Sequence, residues 1–176
     1  MLHTCCAPCL IYPYEILKKQ DYEVAGFFYN PNIQPLFEYE NRKKAVEDYS
    51  KPNSISVYCE EKYSPEDFFR VIANNEKAPQ RCHICWKLRL KKTAEFAKDK
   101  GMESFSTTLL VSPYQDIERI KKIGEEISKD TGIKFVFEDF RSGFRDAHKK
   151  AKDAGLYCQK YCGCIFSNEA TTYGTK

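Results

Sequence analysis

Apolar residues in this chain gather in short dense runs, and between them lie longer stretches with an apolar residue every third or fourth position. That alternation predicts strands separated by amphipathic helices. Met1 and Leu2 make a very short apolar start, after which a helix is expected over residues 12–20. The run 23–29, Glu-Val-Ala-Gly-Phe-Phe-Tyr, is β-rich and is stopped by Asn30-Pro31-Asn32. A polar helix is predicted over 36–50 and a shorter strand over 54–58. Ser64-Pro65-Glu66-Asp67 has the form of a helix start, with a Ser cap, Pro in the first turn and early acids. The longest helix is expected over 82–100, where Ile84, Leu88, Leu90, Ala94 and Ala97 keep helical spacing and Gly101 is the stop. A fourth strand, 104–110, ends at Ser112-Pro113-Tyr114. Asp116 then caps a helix running through Ser128 and closed near Gly132. The fifth strand is 134–138, and a last helix over 145–154 stops at Gly155.

Strands alternating with helices in this way imply an α/β fold: a mostly parallel five-stranded sheet with helices on both faces. In such sheets ligands bind beyond the carboxyl ends of the strands, at the topological switch point. The segments at 5–9, 29–32, 108–114 and 139–141 all fall on that rim. Repeats, low-complexity tracts and linkers are missing from the 176 residues, so a single domain over 1–176 is expected.

Composition changes this picture in one respect. The hydrophobic content of 42% is enough for a core, so nine cysteines are not needed as staples. The chain does not open with a basic region and apolar run, and no segment approaches a membrane span. A reducing, cytoplasmic setting with no membrane contact is therefore expected, where clustered cysteines serve as metal ligands or catalytic thiols. The net charge of +3 permits nucleic-acid binding without arguing for it, while an aromatic share of 14% leaves rings available to stack on bases.

The cysteines fall into three groups: Cys5-Cys6-Ala-Pro-Cys9, Cys82-His-Ile-Cys85, and Cys158-Gln-Lys-Tyr-Cys162-Gly-Cys164. The first lies between a strand and a helix, where the helix dipole and free N–H groups favour thiolate. Cys5, Cys6, Cys9, Cys82, Cys85, Cys162 and Cys164 are expected to converge on one metal centre. Three chemistries compete for them. A Cys-x-x-Cys pair after a strand fits a thioredoxin-like dithiol, but a thioredoxin fold needs a βα unit upstream of its motif. Four thiolates fit structural zinc but leave several thiols over. A [4Fe–4S] cluster needs four thiolates, or three with an open iron, and the surplus then points to a second metal. Cys59 is set aside as an isolated strand-end thiol.

Other residues carry weaker signals. His83, between two ligand candidates, is either an outer hydrogen-bond donor to the centre or a plain surface histidine. His3 reads as a packed core histidine and His148 as solvated. Trp86 is either core or a shield for the metal. The basic runs Arg81, Lys87, Arg89, Lys91, Lys92 and Arg145, Lys149, Lys150, Lys152 are either solvated faces or phosphate contacts.

Taken with Phe28-Tyr-Asn-Pro-Asn-Ile33, Arg81 before Cys82, Thr107-Thr-Leu-Leu-Val-Ser-Pro-Tyr-Gln115, Asp139-Phe-Arg141 and Gln159-Lys-Tyr161, the cysteine groups make the chain resemble the QueH family of epoxyqueuosine reductases. The resemblance spans nearly the whole chain in order. It implies a cobalamin-independent enzyme that reduces the epoxide of epoxyqueuosine at the tRNA wobble position to queuosine, the last step of that modification. It further implies a [4Fe–4S] cluster with an adjacent second, mononuclear iron, an electron donor protein or other reductant, and a fold like the adenine-nucleotide α-hydrolase (HUP) group. A Ser-Gly-Gly phosphate loop is missing and Cys5–Cys9 stands in its place, so ATP use is not expected. No ligand role is carried onto Cys158. On this reading Asp116 and Tyr114 are the proton-donor candidates by rim position, with Tyr161 beside them. Tyr29 and Tyr114 would hold a base turned out of its stack, and Arg141 and Lys160 would meet phosphate. Asn30, Asn32 and Tyr161 join them as substrate-binding candidates.

Overall fold

Leu2 and His3 form the central strand of the sheet, paired on both sides. In a computed structural model that describes residues 1–60 and 62–167, the elements run β1 (Leu2–His3), α1 (Ala7–Lys19), β2 (Gly26–Phe28), α2 (Leu36–Ser50), β3 (Val57–Cys59), α3 (Pro65–Ile72), α4 (Gln80–Asp99), β4 (Ser104–Thr107), α5 (Ile117–Thr131), β5 (Lys134–Phe135) and α6 (Phe144–Asp153). Two short 3-10 turns lie at Thr108–Val111 and Arg141–Gly143. The five strands lie in the order β3-β2-β1-β4-β5 and every pair is parallel. Leu2 stands opposite Gly26 on one side and Ser106 on the other. Crossovers from β1 run one way along the sheet and those from β4 the other. Right-handed crossovers then put helices on both faces: α1 packs with α2 and α6, and α4 with α5. The chain changes direction between β1 and β4, so the crevice for a ligand opens beyond His3 and Thr107.

The core lies between sheet and helices. The α4 residues Cys85, Trp86, Arg89, Leu90, Thr93, Ala94 and Ala97 are buried at helical spacing. Small Ala94 and Ala97 let this helix approach the sheet closely, and Phe96 stacks on Phe27 with ring centres 4.2 Å apart.

Several boundaries differ from expectation for local reasons. Helix α1 begins at Ala7 rather than at residue 12, which brings Cys9 inside its first turn. Pro8 is at home there, because the first turn has no partner for its missing N–H. Pro13 lies inside the helix, so position 13 offers no N–H to the carbonyl of Cys9. The strands are shorter than predicted. The Thr107 side chain accepts the Leu109 N–H at 3.1 Å and turns the chain into a 3-10 turn, where an extended run to 110 was expected. The third strand is displaced from 54–58 to Val57–Cys59, because Ile55 N–H still bonds to Ser50 at the end of α2. Ser64 precedes α3 but makes no side-chain cap, unlike Asp116, which accepts Arg119 N–H at 2.9 Å. Gly132, in the left-handed region at φ 76°, ends α5 as predicted.

Candidate metal centre

The end of β1 enters α1 through Cys5 and Cys6, with Cys6 extended at the N-cap position. This turn crowds three buried sulfurs together. The Sγ atoms of Cys5, Cys6 and Cys9 all lie within 4.8 Å of one another, and those of Cys5 and Cys6 are 3.6 Å apart. Thr108, just beyond β4, closes the group from the neighbouring strand: its hydroxyl accepts the Cys5 N–H at 3.2 Å and lies 3.4 Å from Cys5 Sγ as a donor. The thiols share their charge unequally. Hydrogen bonds from Cys6 and Cys9, with a further one from Thr108, hold Cys5 well below the usual thiol range. Burial and the hydrogen bond to Cys5 push Cys6 up, with Arg42 pulling the other way. Cys9 rises chiefly because its S–H is given to Cys5 and Cys6. Of the three thiols, Cys5 is therefore the one the site most favours as thiolate.

Beneath it His3 is fully buried between Thr107 Oγ1 at 2.9 Å and the Tyr29 carbonyl at 3.3 Å. Burial first and the Arg89 cation second bring its pKa down to about 3, so the ring is neutral. The expectation of a packed core histidine holds.

The other four sulfurs form a second neighbourhood. Cys85 and Cys164 are buried in one apolar cluster with Phe68 and Ile72, while Cys82 is half-buried and Cys162 exposed. Burial pushes the Cys85 thiol up to about 12; Arg89 opposes the rise, and the charges of Cys162, Cys164 and Cys82 add to it. The third group thus reaches the second through Cys164 and Cys85. Gln159 ties the C-terminal segment to the triad, and Arg42, which carried no signal in the sequence, ties it to α2. Gln159 Nε2 lies 3.7 Å from Cys9 Sγ. Arg42, 1% exposed, donates to the carbonyls of Tyr161 at 3.0 Å and Cys162 at 3.2 Å, and to Glu38 Oε1 at 2.7 Å. The spacing of Glu38 and Arg42 advertises an ordinary helix-surface pair, and only the fold shows that both are buried. Thr108, inside a quoted motif, carried no chemical signal of its own.

The spacing of the triad fits a single metal ion. Tetrahedral thiolates at ~2.3 Å from one ion stand roughly 3.8 Å apart, close to the Cys5–Cys6 separation. A cluster spreads its thiolates over separate irons, and the four sulfurs of the second neighbourhood are the more widely spread set: among the described residues, only the triad meets within 4.8 Å.

The remaining candidates divide into those near the thiols and those away from them. Asn30 is buried, with Nδ2 donating to the Thr4 carbonyl and Oδ1 without a partner; Asn32 Oδ1 is also buried and unpartnered. Tyr29 is buried and stacked parallel to Phe27, so its face is not presented at the surface. Tyr161 is half-buried, donates its hydroxyl to the Gln34 carbonyl and lies beneath the Arg42 guanidinium. Lys160 is exposed. Tyr114 is 82% exposed, edge-on to Phe144, and Asp116 is exposed at the head of α5. Arg141 grips Asp139 through Nε at 2.8 Å and Nη2 at 2.6 Å. Trp86 is core, with its N–H given to Gln115 at 2.9 Å. His148 is half-buried against Phe144 rather than solvated. Arg89, read as part of a basic face, is 4% exposed and donates to the Cys85 carbonyl: the helical period turns it inward while Lys87 stays outside.

Comparison with known proteins identifies the family. A family model described as "Epoxyqueuosine reductase QueH" matches residues 1–170. An epoxyqueuosine reductase QueH of Thermotoga maritima is 40% identical over 175 residues, covering 95% of this chain and 88% of that protein. One from Dehalococcoides mccartyi is 34% identical, covering 95% and 91%, and one from Streptococcus pyogenes is 30% identical, covering 95% and 69%. With a family model matched over residues 1–170 and relatives at 34% and 40% identity over 95% of the chain, this protein belongs to the QueH family of epoxyqueuosine reductases, which are oxidoreductases.

Proposed function

We propose that the chain reduces the epoxide of epoxyqueuosine in tRNA to the alkene of queuosine, in the cytoplasm, at a [4Fe–4S] cluster held by Cys82, Cys85, Cys162 and Cys164 beside a mononuclear iron held by Cys5, Cys6 and Cys9. The observation that carries this reading is the family match over residues 1–170, whose span includes a buried triad of soft donors at single-ion spacing. No helix among the described residues is long and apolar enough to cross a membrane, in keeping with a tRNA-modifying role.

The reaction consumes two electrons and two protons: both epoxide C–O bonds break, a C=C bond forms and the oxygen leaves as water. Electrons come from an external donor protein or reductant. When bound, the metals would supply one-electron transfer and a Lewis acid for the epoxide oxygen. The chain's own residues supply the rest. Burial of the triad excludes bulk water from the thiolates. The unpartnered Asn30 and Asn32 carbonyl oxygens lack donors, which the N–H and O–H groups of the modified base would provide. Tyr114 offers an exposed ring to a base turned out of the anticodon stack, and Lys160, Arg141 and Tyr161 extend the contact toward the phosphates. Tyr114 and Asp116, two positions apart in one loop, are the proton sources, acting once that loop is covered by RNA.

The test is turnover. Anaerobically purified protein with a chemical reductant and epoxyqueuosine-containing tRNA should yield queuosine by nucleoside mass spectrometry. Protein that binds this tRNA, holds zinc and gives no queuosine would instead be a zinc-stabilised RNA-binding module.

A further inference from the structure

Among the described residues Arg42 is the largest fully buried side chain, and it belongs to no cysteine motif. Its guanidinium is used on every side. Nε binds buried Glu38, Nη2 binds the Tyr161 carbonyl, Nη1 binds the Cys162 carbonyl, and the plane lies 5.3 Å from the centre of the Tyr161 ring. Glu38 in turn accepts the Tyr157 hydroxyl, so the helix grips the C-terminal segment at two points. The segment is shaped to receive the fork. Gly163 sits at φ +109°, and a Cβ there would meet Ile33 at 2.8 Å and Arg42 Nη1 at 3.1 Å. The Gly163 carbonyl accepts Gln34 N–H at 2.9 Å, and Gln34 Oε1 accepts Ile165 N–H. A lysine could supply the charge but could not reach two carbonyls and a carboxylate in one plane.

We infer that Arg42 is the positioning residue that seats the Cys162-Gly163-Cys164 turn beside the first-strand thiols and holds a buried cation, ion-paired with Glu38, between the two sulfur groups. The seating half of this statement concerns the polypeptide alone, whereas the charge half rests on the iron–sulfur reading above. Arg42→Met would remove the cation and leave the buried Glu38 carboxylate without its partner. That net loss of positive charge beside a negatively charged cluster disfavours the reduced form, which carries one more electron, so reduction becomes harder.

Two variants separate the halves. In the full chain freed of metal under anaerobic, reducing conditions, alkylation of each cysteine is followed by peptide mass spectrometry. Arg42→Met should speed alkylation of buried Cys164 at least tenfold and leave that of Cys59, on the far strand, within twofold. Arg42→Lys should also speed Cys164, because the fork is lost. In metal-loaded protein Arg42→Met should lower the cluster's midpoint by about a tenfold change in the reduction equilibrium, ~59 mV for one electron, while Arg42→Lys stays near the parent. If Arg42→Met does not fold, Arg42→Lys decides: faster Cys164 labelling with an unmoved midpoint supports the assignment. Cys164 labelling unchanged in every folded variant overturns the seating role, and an unmoved midpoint in a folded, iron-loaded Arg42→Met overturns the charge role. Protein that holds zinc alone but labels faster at Cys164 refutes the iron–sulfur reading and leaves the seating role standing.

Discussion

The Thr108 hydroxyl bonds to Cys5 twice, accepting its backbone N–H at 3.2 Å and lying 3.4 Å from its sulfur as a donor. The contact joins the carboxyl ends of two adjacent parallel strands at the place where the chain reverses its direction along the sheet. One residue thus fixes the first thiolate and the geometry of the strand end that presents it. Thr108→Val keeps the shape and removes both bonds. The buried Cys5 amide would then lack a partner, at a cost of ~1–3 kcal/mol, or a fall of several degrees in Tm. Thr108→Ser should recover most of it. An unchanged melt of the valine variant would show that the amide finds another acceptor.

His3 gives the fold a pH dependence of known sign. Its pKa lies at about 3 in the folded protein against 6.5 ordinarily, so between those values the unfolded chain binds more protons than the native one. Stability from this group is fully present above pH 6.5 and is lost as pH falls toward 3, with a slope of up to ~1.4 kcal/mol per pH unit. Urea midpoints of metal-free protein between pH 4.5 and 7 should fall on acidification. His3→Gln, which can still meet Thr107 and the Tyr29 carbonyl, should flatten the fall. Equal slopes for the two proteins would count against a neutral buried imidazole.

Asp116 holds two assignments that one pair of substitutions divides. It caps α5 through Arg119 N–H, and it is a proposed proton source. Asn caps as well as Asp, so Asp116→Asn should melt like the parent, whereas Asp116→Ala loses ~1 kcal/mol. If the carboxyl group delivers a proton in the reaction, turnover of the Asn variant falls by ~100-fold or more. Full turnover by a stable Asn variant leaves Asp116 as a helix cap alone.

Much of this protein was legible in its sequence because local signals agreed. The strand and helix alternation yields the parallel sheet, Asp116 and Gly132 bracket α5, and β1 runs directly into a cysteine turn. What stayed hidden depends on distant partners. Short strands such as Leu2–His3 owe their existence to two neighbours rather than to their own propensity. The early start of α1 turns on where a proline is harmless. Arg42 and Arg89 look in sequence like solvated charges, and their burial follows from the helix face that meets the sheet and the C-terminal turn. Tyr29, read as a stacking surface, is a core ring because the strand it follows is covered on both faces. The meeting of residues 82–85 with 162–164 could be expected only from shared chemistry, since nothing in the spacing of two segments so far apart reports that they touch.

The division of sulfurs into a triad and a quartet is tested most directly by counting metal and acid-labile sulfide in anaerobically purified protein and in two cysteine variants. The parent should hold about five iron and four sulfide per chain. Cys85→Ala/Cys164→Ala, which leaves only two of the quartet's thiolates, should lose the sulfide and keep about one iron, and Cys6→Ala should keep about four of each. One zinc per chain with no sulfide in the parent, or sulfide retained in full by Cys85→Ala/Cys164→Ala, would contradict it.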